Sequence, residues 1–195
     1  MRPAFPRAAL LLVALTLGFL SAPGLSAREE KKLAPITVKE VLAAQQAWCD
    51  GLVKIGQLYA DKGDYKAFAE KFIDETYDYS SGTTFFRPTL ATSPAAFRKT
   101  KEGALAYFIG GNPKFPSDGG FALKKWVKVV VDENEGLNSV QIHGNVAITM
   151  GNIHLTNAAG DKVTVDKTFV FRRCEDGKLR LIVHKSALPN TPPEK

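Results

Sequence analysis

The sequence predicts an α+β domain in which a long helix and two shorter ones pack on the concave face of a curved antiparallel sheet. Three observations carry this. Apolar residues recur at helical spacing from residue 38 to residue 59. Strict alternation with branched and aromatic residues dominates the chain after residue 120. Glycine, proline and Asx residues punctuate the joins, most clearly at Asp176-Gly177, where a hairpin needs positive φ.

The elements follow in order. Residues 1–27 open with Arg2 and Arg7, continue through the apolar run AALLLVALTLGFL and end in Leu25-Ser26-Ala27. A basic start, a short apolar core and a small-residue tail read as a signal peptide cleaved near Ala27. The run is too short for a permanent span, which needs about 20 apolar residues. Residues 28–35 are charged and read as a flexible N-terminus. Thr37 then begins a helix, with Glu40 three residues on as a capping box. Val38, Val41, Leu42, Trp48, Leu52, Ile55 and Tyr59 form its apolar stripe, and Gly63 ends it. A second helix covers Asp64 to Glu75.

TTFFRPTLA, residues 83–91, reads as a strand whose Pro88 implies an edge or a bulge. Ser93-Pro94 reads as an N-cap with proline in the first turn. The third helix is expected from there to Ile109, with Gly110-Gly111 as its end. Strands are expected at 121–133, at 138–155 with a turn at 143–145, at 162–174 and at 178–187. The whole of 36–190 reads as one domain, and 191–195 as a disordered tail. A helix across a curled sheet leaves a conical cavity, a usual place for a small-ligand site.

Charge excludes little but ranks the partners. The chain of 195 residues has 26 basic and 20 acidic residues. Only Arg2 and Arg7 lie in the leader, so a small positive excess remains after its removal. The excess is scattered, with no basic stripe interleaved with aromatics, which argues against nucleic acid. It favours small anions by raising their local concentration. No membrane attachment is expected after cleavage, and the expected compartment is the periplasm or the exterior. Cys49 and Cys174 are the two cysteines; an oxidising compartment allows a disulfide, and two free thiols are the other reading.

The stretches WCDGLVKIGQLY, FFRPTLA, ALAYFIGG and IVHKSALPN resemble the iota class of carbonic anhydrases, in its exported bacterial branch. The element order is similar to the nuclear transport factor 2-like fold, including the association domain of calcium/calmodulin-dependent kinase II. The family pattern His-His-Ser-Ser stands here as His184-Lys185-Ser186-Ala187. The resemblance implies reversible hydration of CO₂ to bicarbonate. It implies that Thr89, Tyr107 and Ser186 hold bicarbonate and serve as the catalytic set, without a metal cofactor.

Neutral hydroxyls suit this task because each donates and accepts, so a fixed set orients a water and meets charge growing on oxygen. The residues assigned to the apolar walls for CO₂ are Phe85, Phe86 and Phe108. His184 is a candidate proton shuttle, since an unperturbed imidazole titrates near 6.5. Competing readings exist. A threonine and a serine at strand ends also bond local backbone, and a tyrosine in an apolar helix is often core. His143, His154 and His184 equal the number of histidines in a carbonic-anhydrase zinc site. They fall on separate strands without an HxH pair, so zinc or manganese is the alternative. Asp74, Glu75, Tyr77, Asp78 and Tyr79 suggest an isomerase with a carboxylate base and a phenol donor. A non-catalytic binding or oligomerisation domain is the remaining alternative, and the two-faced sheet predicts a homodimer.

Overall fold

The computed structural model describes residues 33–132 and 138–190. Residues 1–32, which include the expected signal peptide and most of the charged segment after it, residues 133–137 and residues 191–195 lie outside the described residues. Helix α1 spans Val38–Ala60, α2 Tyr65–Thr76 and α3 Lys101–Ile109. The strands are β1 (Phe85–Arg87), β2 (Trp126–Val131), β3 (Asn138–His143), β4 (Val146–Asn157), β5 (Lys162–Arg173) and β6 (Leu179–Ala187).

The capping box forms as expected. Thr37 Oγ1 accepts from the Glu40 amide at 3.3 Å, and the Glu40 carboxylate accepts from the Thr37 amide at 2.9 Å. Both Glu40 oxygens also lie 2.8 Å from Arg173 Nη2. These bonds, that to Arg173 foremost, hold the Glu40 carboxyl down at about 2. They tie the start of α1 to the end of β5. Gly51 lets α1 approach α2, because a Cβ there would sit 2.3 Å from the Phe72 ring.

The sheet runs β1-β6-β5-β4-β2, and β3 shares the β4 edge with β2. Its three central strands are antiparallel, but β1 lies parallel to β6. The sheet is therefore mixed where the sequence predicted a purely antiparallel one. Alternation made every strand legible but says nothing about the direction of a distant partner. Strand β1 reaches β6 from far along the chain and lands on its free edge.

Three other expectations shift. Helix α3 begins at Lys101 with Thr100 as its cap, not at Ser93-Pro94. The segment before it runs beside β1, where the Arg98 amide donates to Phe86 O at 2.8 Å and Tyr79 Oη donates to Arg98 O at 2.9 Å. Its backbone groups are occupied by tertiary bonds. Strand β1 is three residues long, ended by Pro88. Strand β2 starts at Trp126 after a 3-10 turn at Phe121–Leu123. Both cysteines are free, Cys49 buried and Cys174 half-buried.

The core lies between the helices and the inner face of the sheet. Trp48, Leu52 and Ile55 of α1 meet Phe169 and Phe171 of β5, all buried. Burying each such side chain contributes about 1.5–3 kcal/mol. The outer face carries Ile148, Met150 and Val170, and Met150 is 63 % exposed.

Candidate active site

Three elements deliver the hydroxyls that the resemblance assigned. Parallel pairing sets Phe86 beside His184 and Arg87 beside Lys185. Pro88 then ends β1, and the chain leaves the sheet with Thr89 next to Ser186. The Arg87 guanidinium folds back to donate to the carbonyls of Pro88 and Thr89, which holds this exit in shape. Thr89 Oγ1 and Ser186 Oγ lie 2.5 Å apart. Tyr107, from α3, accepts from the Leu90 amide at 3.4 Å through its phenolic oxygen. Burial pushes the Tyr107 phenol up to about 12, against the Leu90 amide, the Thr89 hydroxyl and Arg87, which favour the phenolate. At neutral pH it is therefore a hydroxyl, and the row Ser186–Thr89–Tyr107 is uncharged.

A cavity of about 180 Å³ opens at Tyr107, lined also by Leu90, Asp118, Gly119, Gly120, Phe121 and Lys124. It offers apolar walls, a phenol and one ammonium within a space suited to a very small ligand. A larger hollow of about 470 Å³ lies between α1 and α2, walled by Trp48, Gly51, Phe72 and Leu181. None of the three hydroxyls lines it.

The apolar assignments need correction. Phe85 is 60 % exposed and points away from the core, because alternation along β1 puts Phe86 inside. Phe108 is fully buried and stacks on Phe86 at 5.7 Å, behind the cavity instead of in its wall. Phe121 supplies the aromatic wall, from a 3-10 turn that the strand reading of 121–133 concealed.

His184 is 1 % exposed. Its ring stacks on Phe86 at 4.4 Å, with Trp48 edge-on at 5.4 Å. Nδ1 lies 2.8 Å from Tyr77 Oη and Nε2 lies 2.9 Å from Lys167 Nζ, while Trp48 Nε1 donates to Tyr77 Oη at 2.9 Å. Burial foremost, and the positive charge of Lys167 whenever it is protonated, pull the imidazole well below its usual value. That setting disfavours the imidazolium that a shuttle to solvent must visit.

The other candidates disperse. His143 is exposed at the end of β3. His154 is on the outer face between Asp132 and Thr164, at 2.9 Å from each. The three histidines do not converge, and no cluster of three metal-binding side chains exists among the described residues. Of the acidic group, Asp74 pairs with Lys101 at 2.7 Å and Asp78 with Arg172. Neither is a free base facing the three hydroxyls. Lys185 faces outward and is exposed, so the departure from the family pattern there leaves the inner row intact.

Sequence reasoning passed over Arg87, Trp48 and Lys167. The signal for Lys167 was present: it stands in the inward register of β5 between Val165 and Phe169, a charge flanked by apolar neighbours.

Comparison with known proteins bears on this arrangement. The family model described as metal-independent carbonic anhydrase matches residues 39–188. The chain belongs to the metal-independent carbonic anhydrase family. A curated member from Nostoc sp. (strain PCC 7120) is 50 % identical over 156 residues, which cover 79 % of this chain and 74 % of that protein. The crystal structure of the iota-carbonic anhydrase from a cyanobacterium, complexed with bicarbonate, superposes with a TM-score of 0.77 at 49 % identity. That match covers 80 % of this chain and 94 % of the other. A putative dehydratase of the NTF2-like family from Streptomyces avermitilis shares the fold alone, with a TM-score of 0.51 at 14 % identity over 79 % of this chain and 96 % of that one. This carbonic anhydrase is thus an NTF2-like α+β protein. Its family's metal independence sets the zinc and manganese alternatives aside.

Proposed function

We propose that this carbonic anhydrase hydrates CO₂ at the Thr89–Tyr107–Ser186 cluster, with no metal in the reaction. The observation that carries the reading is the meeting of three hydroxyls from three elements at the end of the cone. CO₂ rests against Phe121 and Leu90. Tyr107 and Ser186 orient the attacking water, and Thr89 and Ser186 donate to the oxygens that become bicarbonate. Arg87 and Lys124 raise the local concentration of the anion without entering the row. The bicarbonate complex of the cyanobacterial relative supports the assignment of the product class.

Stopped-flow hydration on protein stripped with a strong chelator tests it. The stripped enzyme is expected to keep its full rate. Thr89→Ala and Tyr107→Phe each lose about tenfold or more, the value of one hydrogen bond of about 1.4 kcal/mol. Activity lost on stripping and restored by zinc or manganese would sink the hydroxyl mechanism.

We also propose export to the periplasm and pairing of two copies through the outer sheet face. The leader pattern of residues 1–27 motivates the first. The second is motivated by Ile148 and Val170, adjacent in the β4–β5 register, with Met150 beside them. Native mass spectrometry of protein recovered from a Gram-negative periplasm reads both at once. The expected species is a dimer of chains lacking residues 1–27. A monomer mass removes the pairing, and an intact N-terminus on a cytosolic product removes the export.

A further inference from the structure

Lys167 stands where β5 calls for an apolar residue. It is 6 % exposed, its Nζ lies 2.9 Å from His184 Nε2, and it sits 4.6 Å above the Trp48 ring. Among the described residues no carboxylate pairs with it. Among the described residues the titratable groups beside it are His184 of β6 and Cys49 of α1, and Tyr77, from the segment after α2, lies on the far side of the His184 ring. From β4 its register partner is Gly151, which brings no side chain. None of these supplies a negative charge. Burial pushes the Cys49 thiol up to about 12 and the Tyr77 phenol well above its usual value.

Hydrogen-bond directions favour one state of this amine. An indole N–H only donates, so Tyr77 Oη accepts from Trp48. The phenolic proton then goes to His184 Nδ1, which must be bare. The ring proton is therefore on Nε2, and it donates to the Lys167 nitrogen. Only a neutral amine has a lone pair to accept it. In this arrangement the indole, phenol and imidazole donors each have an acceptor. An ammonium would require the other tautomer, with Nδ1–H aimed at an oxygen that already accepts from Trp48. The phenolic proton would then have no acceptor in the chain. Burial, opposed by Cys49, likewise holds the amine down at about 7.

The amine is also next to the proposed reaction. Lys167 is the direct register partner of Ser186 in the β5–β6 pair, and both side chains are buried on the inner face. Directly opposed Cβ atoms lie about 4.5–5.5 Å apart, a gap that the four-carbon stem spans.

We propose that Lys167 is the proton acceptor of the hydration step, reached through the Ser186 hydroxyl. This rests on the carbonic anhydrase reading above. The water oxygen bonds to the CO₂ carbon, and one C=O π pair moves onto oxygen. The water releases a proton to Ser186 Oγ as the serine's own proton passes to Lys167 Nζ, and the proton gained from water is the one Ser186 then donates in its hydrogen bond to bicarbonate. The products are bicarbonate and an ammonium, so atoms and charge balance. The ammonium no longer accepts from His184 Nε2–H. It turns toward Ser186 and the anion, with the Trp48 face offering it a cation–π contact. Dehydration runs the same steps in reverse, and the ammonium returns its proton to water between turnovers.

The sign of the pH dependence follows. Hydration uses the neutral amine, so its kcat/KM rises with pH through about 7. Stopped-flow profiles of the full enzyme, Lys167→Met and Lys167→Arg test this. Both variants are expected to lose about 10²–10⁴-fold in hydration, the usual contribution of a positioned base, together with the inflection near 7. A ¹³C NMR titration of the lysine side chains in the wild type reads the amine itself. Its midpoint is expected near 7 rather than near 10.4, and bicarbonate should raise it. A midpoint above 9, or a Lys167→Met enzyme with wild-type rate and profile, overturns the assignment. If Lys167→Met fails to fold, Lys167→Arg and the titration decide. A wild type without any hydration activity overturns the carbonic anhydrase reading itself, whereas an active wild type with an unaffected Lys167→Met overturns the lysine alone.

Discussion

Replacing Ser186 with alanine lowers kcat/KM for CO₂ hydration by about 10²–10³-fold, the loss expected when one fixed donor to a developing oxyanion is removed. Ser186 is 1 % exposed and its hydroxyl is 2.5 Å from Thr89 Oγ1, so the change removes a donor and unfixes its neighbour together. The stability cost is small, about 1 kcal/mol, since Thr89 is half-buried and water can replace part of the bond. Lys185→Ala is the internal control. That side chain is next in sequence but faces the opposite side of the sheet, and its loss should change the rate less than twofold. Stopped-flow rates set against urea midpoints separate the two effects. A Ser186→Ala enzyme within a factor of three of wild type would move the chemistry elsewhere.

The second large effect is on stability. Arg98→Met is expected to cost about 3–5 kcal/mol, the range for breaking a buried ion pair by removing one partner. Arg98 Nη2 lies 2.8 Å and 2.9 Å from the two Asp118 oxygens. The two side chains are 1 % and 3 % exposed. Removing the guanidinium leaves the Asp118 carboxylate buried without its counter-charge. The same pair shapes the site, because Asp118 lines the cavity at Tyr107 while the Arg98 amide is bonded to β1. Activity should therefore fall along with the urea midpoint. Arg98→Met combined with Asp118→Asn is expected to recover much of the stability, since no isolated charge remains. Single and double variants of equal instability would show that packing, not the buried charge, sets the cost.

Legibility differed by element for physical reasons. The capping box at Thr37 and Glu40 is local, and it formed as read. The alternation in β4, β5 and β6 made these strands legible, while the inward place of Lys167 among apolar residues was passed over. The start of α3 was misread because Ser93-Pro94 satisfies a local helix rule, while Arg98 and its neighbours are held by tertiary bonds to Phe86 and Tyr79. The wall of the cavity was misread for a similar reason. Phe85 and Phe86 are equally aromatic, and only the pairing of β1 with β6 decides which of them turns inward.

The sequence by itself determined the element order and the two-faced sheet and, through its resemblance to a family, named the three hydroxyl residues as candidates. Those depend on period, on turn chemistry and on short motifs, all carried by residues near one another in the chain. The tertiary structure alone decided that β1 lies parallel to β6 and so brings Thr89 to Ser186. It alone closed the chain Trp48–Tyr77–His184–Lys167, whose members come from α1, the end of α2, β6 and β5. Contacts between residues on different elements leave no local periodic trace. A buried amine's protonation state depends on those contacts and on the water they exclude.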